Sequence, residues 1–175
     1  MKFLKDNTVV NIREATPDDA QELINLFKKI GSKTSFLLMN HLGLDISVEK
    51  EKEYLSKANG EITTKYFIAI INNKIVGNCG IKGHDNYKTK HNVNLSIAIL
   101  NEYSNKGLGK LLLEHTINYA RITQEVKNIF LEVREDNIYA IKLYENIGFV
   151  KCGSMPNKVF ENGKYYSELI YVLQI

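Results

Sequence analysis

NLSIAIL, from Asn94 to Leu100, runs into YSNKGLGK, from Tyr103 to Lys110, and the junction between the two sets the architecture of the chain. The first run reads as a strand. The second is a polar turn that opens a helix, KGLGKLLLEHTINYA, continuing to Arg121. Glycines at 107 and 109 let the backbone approach a ligand closely, and the N–H groups of a first helical turn have no partner within the helix. The helix dipole, Lys106 and Lys110 add positive charge. The segment Ser104, Asn105, Lys106, Gly107, Leu108, Gly109, Lys110 therefore reads as an anion site, most simply for a phosphate. Two common phosphate loops do not fit. Leu112 stands where a dinucleotide fingerprint needs its third glycine, and the glycine and Lys-Ser/Thr pair of a P-loop are not correctly placed.

Further on, a short strand Leu131-Glu132-Val133 is followed by Asn137, Ala140, Tyr144, Gly148 and Phe149. Together these two blocks resemble the acetyl-coenzyme A signature of the GNAT superfamily of N-acetyltransferases. That signature is R/Q-x-x-G-x-G/A after an apolar strand, then a strand of the type LEV, then N-x-x-A-x-x-x-Y-x-x-x-G-F. The likeness extends more loosely toward both ends, beginning at Ile12-Arg13-Glu14-Ala15. Ser104 departs from it, standing where Arg or Gln is usual, which implies weakened binding and not lost binding.

The resemblance implies one GNAT domain over residues 1–175. Its α/β (α+β) fold would have a mixed, mostly antiparallel sheet of about seven strands with about four helices on both faces. It implies acetyl-CoA as the acyl-donor cosubstrate, no metal, and a primary amine on a small molecule or protein as acceptor. In such a fold the strand ending near Ala98 and Ile99 splays from its neighbour. Its free backbone groups pair with the pantetheine arm, and an N–H near Ile99 polarises the thioester carbonyl. Tyr144 matches the thiolate-protonating acid, although the same ring could simply pack under the cofactor sulfur. Asn137 either bonds the pantetheine arm or caps its helix, and both can hold at once. The general base stays unassigned. Asn94 occupies one common location of a catalytic glutamate, which leaves Glu132, Glu168, His84 and His91, or deprotonation through ordered water.

Composition adds bounds. At 175 residues the chain can bury a full core. A scattered formal charge of +3 gives no argument for nucleic acid. The absence of an apolar run of membrane-spanning length, together with cysteines that make no metal spacing, reads as a cytosolic (cytoplasmic) protein with buried free thiols at Cys79 and Cys152. A homodimer through the last strands follows from the resemblance alone. Rivals to the enzyme reading are a coenzyme A-binding module without turnover, motivated by Ser104 and the missing glutamate, and an acyltransferase with a longer donor.

Along the chain, residues 1–7 read as a loose arm and Thr8 to Arg13 as a first strand. Thr16-Pro17-Asp18-Asp19 starts a helix ending at Gly31, and Ser47 caps a charged one. Phe36-Leu37-Leu38-Met39 either plugs the core or walls the acceptor side. Lys65–Ile71 is apolar on both faces, as in a central strand, and Asn72-Asn73 turns it into a hairpin with Lys74–Ile81. His84 to Lys90 is a polar loop that could lie near the acceptor. His115 falls inside the apolar stripe of its helix, which favours a core histidine over a catalytic one. Asn137 to Ile147 forms a helix ended by Gly148, Val150 to Gly153 begins a strand, and Lys164 to Leu173 gives the last one.

Overall fold

The computed structural model describes residues 2–37, 43 and 45–175. Its framework is one sheet of eight strands in the order β1-β2-β3-β4-β5-β6-β8-β7. The strands are β1 (Lys2–Phe3), β2 (Val9–Glu14), β3 (Lys65–Ile71), β4 (Lys74–Gly83), β5 (Asn92–Ile99), β6 (Asn128–Arg134), β7 (Val150–Glu161) and β8 (Lys164–Gln174). Four helices accompany them: α1 (Ala20–Gly31), α2 (Val48–Gly60), α3 (Leu108–Thr123) and α4 (Ile138–Ile147). All pairings are antiparallel except β5 with β6.

Local chemistry explains the elements. Asp19 accepts from the backbone N–H of Thr16 at 2.8 Å and from its hydroxyl at 3.0 Å, fixing the turn that leads into α1. Ser47 Oγ accepts from the N–H of Lys50 at the start of α2. Asn72 and Asn73 both take positive φ, the demand of a two-residue hairpin turn, and join β3 to β4. Gly148, at φ 108°, closes α4.

The core has two layers. On one face of the sheet Leu108, Leu112, Leu113 and Ile117 of α3 pack on Val93, Leu95, Ile129 and Leu131. On the other, Leu23, Leu26 and Ile30 of α1 and Leu55 of α2 pack on Ile68, Ile75 and Ala98. His115 is a core-side residue: Phe67 meets its ring edge-on at 4.7 Å, and Lys2 Nζ donates to its Nδ1 at 3.4 Å.

Three expectations change. Residues 2–3 are not a loose arm but an edge strand on β2, anchored by buried Leu4 and by the Lys5 N–H donating to Lys106 O at 3.0 Å. With it the expected sheet of about seven strands has eight. β7 runs to Glu161, far beyond Gly153, with register shifts at Lys151/Gly153 and Met155/Val159 that break its alternation. Cys79 is buried as expected, but Cys152 is exposed, at the register shift between Lys151 and Gly153 on edge strand β7.

Candidate active site

The parallel pair β5 and β6 touches only at Asn92–Asn94 against Asn128–Phe130. Beyond Asn94 the two strands diverge, while β5 stays paired with β4 and β6 with β8. The gap leaves two backbone edges facing each other across an open cleft of about 1150 Å³. Hydrogen-bond parity fixes which groups face it. Leu100 N–H donates to Val76 O at the end of the β4–β5 ladder, with Ile99 opposite Gly77. Antiparallel alternation then turns the N–H groups of Ala98 and Ser96 toward β4 and those of Ile99 and Ile97 into the cleft, while that of Leu95 faces β6 at the end of the Asn94–Phe130 pairing. A carbonyl oxygen placed there meets preorganised donors.

The far end of the cleft is the start of α3. Its cap, Gly107, has φ 94° and supplies no capping side chain, so the first-turn N–H groups open onto the cleft. Gly109 is set by close packing: a Cβ there would lie 3.0 Å from Leu143 Cδ2 and 3.4 Å from Ile99 Cδ1. Both neighbours line the cleft, so the missing side chain keeps its floor open. An uncapped helix start, bare glycine backbone and a lysine at the rim fit a pyrophosphate.

Of the residues singled out from sequence, Ala98, Ile99, Ser104, Asn105, Gly107, Gly109, Lys110, Asn137 and Tyr144 line this one cleft. Lys106 and Leu108 do not. Lys106 pairs with Asp6 at 3.2 Å, and the Leu108 side chain is sealed in the core, so only their backbones remain available to the loop. Lys110 is partly occupied by Glu114 at 3.7 Å. Asn137 caps α4, its Oδ1 accepting from the Ala140 N–H at 3.3 Å, which leaves its amide NH₂ as a donor on the cleft wall.

Tyr144 is 7% exposed and stacks edge-on with Phe149 at 5.9 Å. Burial pushes its phenol above the ordinary value, and Cys79 nearby adds to the shift, so the hydroxyl carries its proton at neutral pH. Among the described residues that hydroxyl has no hydrogen-bond partner.

Two of the four candidate bases reach the cleft: Glu132 on β6 and Glu168 on β8. Glu132 sits opposite Ile170 and Glu168 opposite Arg134, so both carboxyls point from the same sheet face. Glu132 is exposed, whereas Glu168 is buried with Oε2 unpartnered among the described residues. Burial pushes the Glu168 carboxyl up, and the adjoining Glu132 adds to it. His84 and His91 lie elsewhere, and the loop from His84 to Lys90 lines no part of the cleft. Asn94 lines it as an amide.

Sequence reading missed Arg134. Its side chain is 5% exposed and bonds Asp136 at 2.7 and 3.1 Å, Glu161 at 2.5 Å and the Ser35 carbonyl at 2.9 Å. The rings of Phe36 and Tyr166 lie 4.6 and 4.3 Å from the guanidinium. The signal available was its place directly after Leu131-Glu132-Val133. Arg134 holds Ser35 and Phe36 as a wall of the cleft, and Leu37 lines it too. Leu38 and Met39, the rest of that apolar run, lie outside the described residues.

A family model described as Acetyltransferase (GNAT) family matches residues 37–149. An N-alpha-acetyltransferase of Saccharolobus solfataricus is 32% identical over 149 residues, covering 80% of each chain. The crystal structure of a GNAT-family acetyltransferase from Streptococcus pneumoniae superposes with a TM-score of 0.93 at 30% identity, covering 95% of this chain and 100% of that one. An acetyltransferase from Salmonella typhimurium, solved with acetyl-CoA, shares the fold with a TM-score of 0.82 at 17% identity, covering 94% of this chain and 93% of that one.

Proposed function

Because this chain belongs to the acetyltransferase (GNAT) family, we propose that it moves an acetyl group from acetyl-CoA to a primary amine by direct attack on the thioester. The observation that supports the reading is the cleft between diverging strands, which Ile97, Ile99 and Tyr144 all line and toward which the N–H groups of Ile97 and Ile99 are turned. Acetyl-CoA is a substrate here, and the uncapped start of α3 fits its pyrophosphate. The pantetheine arm runs along the free edge of β5, with the Asn137 amide as a further donor.

The chemistry follows from the placement. The amine nitrogen attacks the carbonyl carbon while backbone N–H groups of β5 stabilise the oxyanion. Glu132, exposed on the cleft wall, takes the proton that the nitrogen loses, directly or through one water. The carbon–sulfur bond then breaks, and Tyr144 gives its proton to the departing thiolate and regains one from solvent. An ordinary phenol is already protonated at neutral pH, so Tyr144 has a proton to give when negative charge develops on sulfur. Glu168 backs Glu132 as a buried, proton-holding neighbour.

The acceptor class is a small-molecule or protein amine. Among the described residues no helix is long and apolar enough to cross a membrane. The test is release of free coenzyme A thiol from acetyl-CoA with polyamines, amino acids, aminoglycosides and short peptides, the acetylated product being identified by mass. Amine-dependent release supports the reading. Tight acetyl-CoA binding with no release across the panel refutes transfer to these amines and favours a binding module.

A further inference from the structure

The turn between β1 and β2 lies against the loop that opens α3. Lys5 N–H donates to Lys106 O at 3.0 Å, and Asp6 pairs with the Lys106 ammonium at 3.2 Å. The turn is closed by its own hydrogen bonds. Leu4 N–H donates to Thr8 O at 2.9 Å, Asn7 N–H to Leu4 O at 3.0 Å and Thr8 N–H to Asp6 Oδ1 at 3.1 Å. Leu4 is 4% exposed and joins the core layer that α3 forms, whereas the next side chain, Lys5, is exposed.

The charges around the loop single out this lysine. Ser104 and Asn105 are neutral, Lys106 is held by Asp6, and Lys110 is partly occupied by Glu114 at 3.7 Å. Lys33 and Lys142 also line the cleft, but they come from just past α1 and from α4. Lys5 lines it at the loop itself. Its Cγ lies 3.7 Å from where a Cβ on Gly107 would stand, so its stem is in van der Waals reach of the bare backbone there. Among the described residues no carboxylate pairs with Lys5, and the acids that line the cleft, Glu132 and Glu168, stand on β6 and β8. A mobile ammonium beside uncapped helix-start N–H groups suits a phosphate oxygen, which Lys meets as a point charge.

We propose that Lys5 is a donor-binding residue: its ammonium, carried by the β1–β2 turn, meets the pyrophosphate of acetyl-CoA at the start of α3. The inference rests on the acetyl-CoA reading above and adds to it a cation from outside the loop. Residues 4–8 thereby become part of the donor site, and donor affinity depends on how they dock on Lys106.

The test is calorimetric titration of acetyl-CoA, and of its 3′-dephospho form, which keeps the pyrophosphate. Both are titrated into the wild-type chain, Lys5→Met, Lys5→Arg and Lys88→Met. Lys88 lies in the loop that lines no part of the cleft, so its replacement repeats the change in net charge alone. From the strength of a hydrogen bond to a charged group, reduced by screening at an exposed position, Lys5→Met should weaken both donors by about five- to twentyfold, and Lys5→Arg and Lys88→Met by no more than about twofold. Added salt should narrow the gap between wild type and Lys5→Met, because the lost contact is ionic. Donor affinities in Lys5→Met that match those of Lys88→Met would overturn the inference. So would a loss seen with acetyl-CoA and absent with the 3′-dephospho form, which puts the ammonium at the 3′-phosphate. A loss that Lys5→Arg shares, or that salt leaves unchanged, assigns the effect to docking of the turn and overturns it as well. A wild-type chain that binds neither donor sinks the inference together with the acetyl-CoA reading. Binding with the expected dependence on Lys5, but no thiol release with any amine, refutes transfer and leaves Lys5 in its role.

Discussion

Replacing Arg134 with Met removes a charge that ties the cleft wall together while keeping the hydrocarbon stem. The guanidinium makes charge-assisted bonds to Asp136 and Glu161 and holds the Ser35 carbonyl. Such bonds are individually strong, and removing one partner of a buried pair costs about 3–5 kcal/mol where the other stays buried. Here the partners' side chains keep 39% and 30% of their exposure, so water takes over much of that role. What is not recovered is the bond to Ser35 and the stacking on Phe36 and Tyr166, each contact contributing about 0.5–1 kcal/mol. The sum is a loss of about 1.5–3 kcal/mol in urea unfolding, or roughly 3–12 °C in Tm for a chain of this size. Because Ser35 and Phe36 line the cleft, KM for the amine should rise several-fold more than KM for acetyl-CoA. A loss under about 0.5 kcal/mol, or an equal rise in both constants, would refute the role assigned to Arg134.

Further outcomes follow from the same contacts. Gly109→Ala should leave stability within about 1 kcal/mol of wild type, since helix propensity gained offsets crowding against Leu143. It should raise KM for acetyl-CoA because the new Cβ stands on the cleft floor, and an unchanged KM would count against the pyrophosphate site. Glu168 holds its proton more tightly folded than unfolded, so the wild-type chain loses stability as pH rises above the ordinary glutamate value. Glu168→Gln should therefore be the more stable protein at pH 7.5, the gap closing toward pH ~4.5, and a gap that widens on acidification would show the shift has the other sign. Asp19 is the opposite case: Arg13 at 2.7 Å depresses its carboxyl pKa, so its contribution is present at neutral pH and lost as pH falls through the depressed value. Asp19→Asn should cost about 1–2 kcal/mol at pH 7, and the deficit against wild type should shrink in acid.

The elements most legible in the sequence were those with strong local signals. Lys65–Ile71 is apolar on both faces and ends at an Asn-Asn turn, and the structure ends β3 at the same residues. The Pro17 helix start and the glycine loop were legible for the same reason. β7 was only partly so, because Gly153, Pro156 and a positive-φ Asn157 interrupt its alternation and long-range pairing with β8 overrides that. β1 was hidden because two residues carry no period. Within the site, residue identities along the loop and α4 could be read directly. The orientation of the Ile97 and Ile99 N–H groups could not, since it depends on the β4–β5 register. Nor could the meeting of Glu132 with Glu168, which depends on β8 returning beside β6. Lys5 lay in what read as a loose arm, and only the docking of that arm on Lys106 brings it to the cleft.

Steady-state release of coenzyme A thiol by Tyr144→Phe, with the best acceptor amine and with acetyl-CoA saturating, bears most directly on the catalytic account. Phenylalanine keeps the ring against Phe149 and removes only the buried hydroxyl, so folding and KM for acetyl-CoA should stay near wild type. The rate constant kcat should fall by about 10²–10⁴, the usual loss of a positioned general acid. A variant with wild-type kcat would contradict the account, because Tyr144 would then only pack beneath the sulfur and the thiolate would take its proton elsewhere.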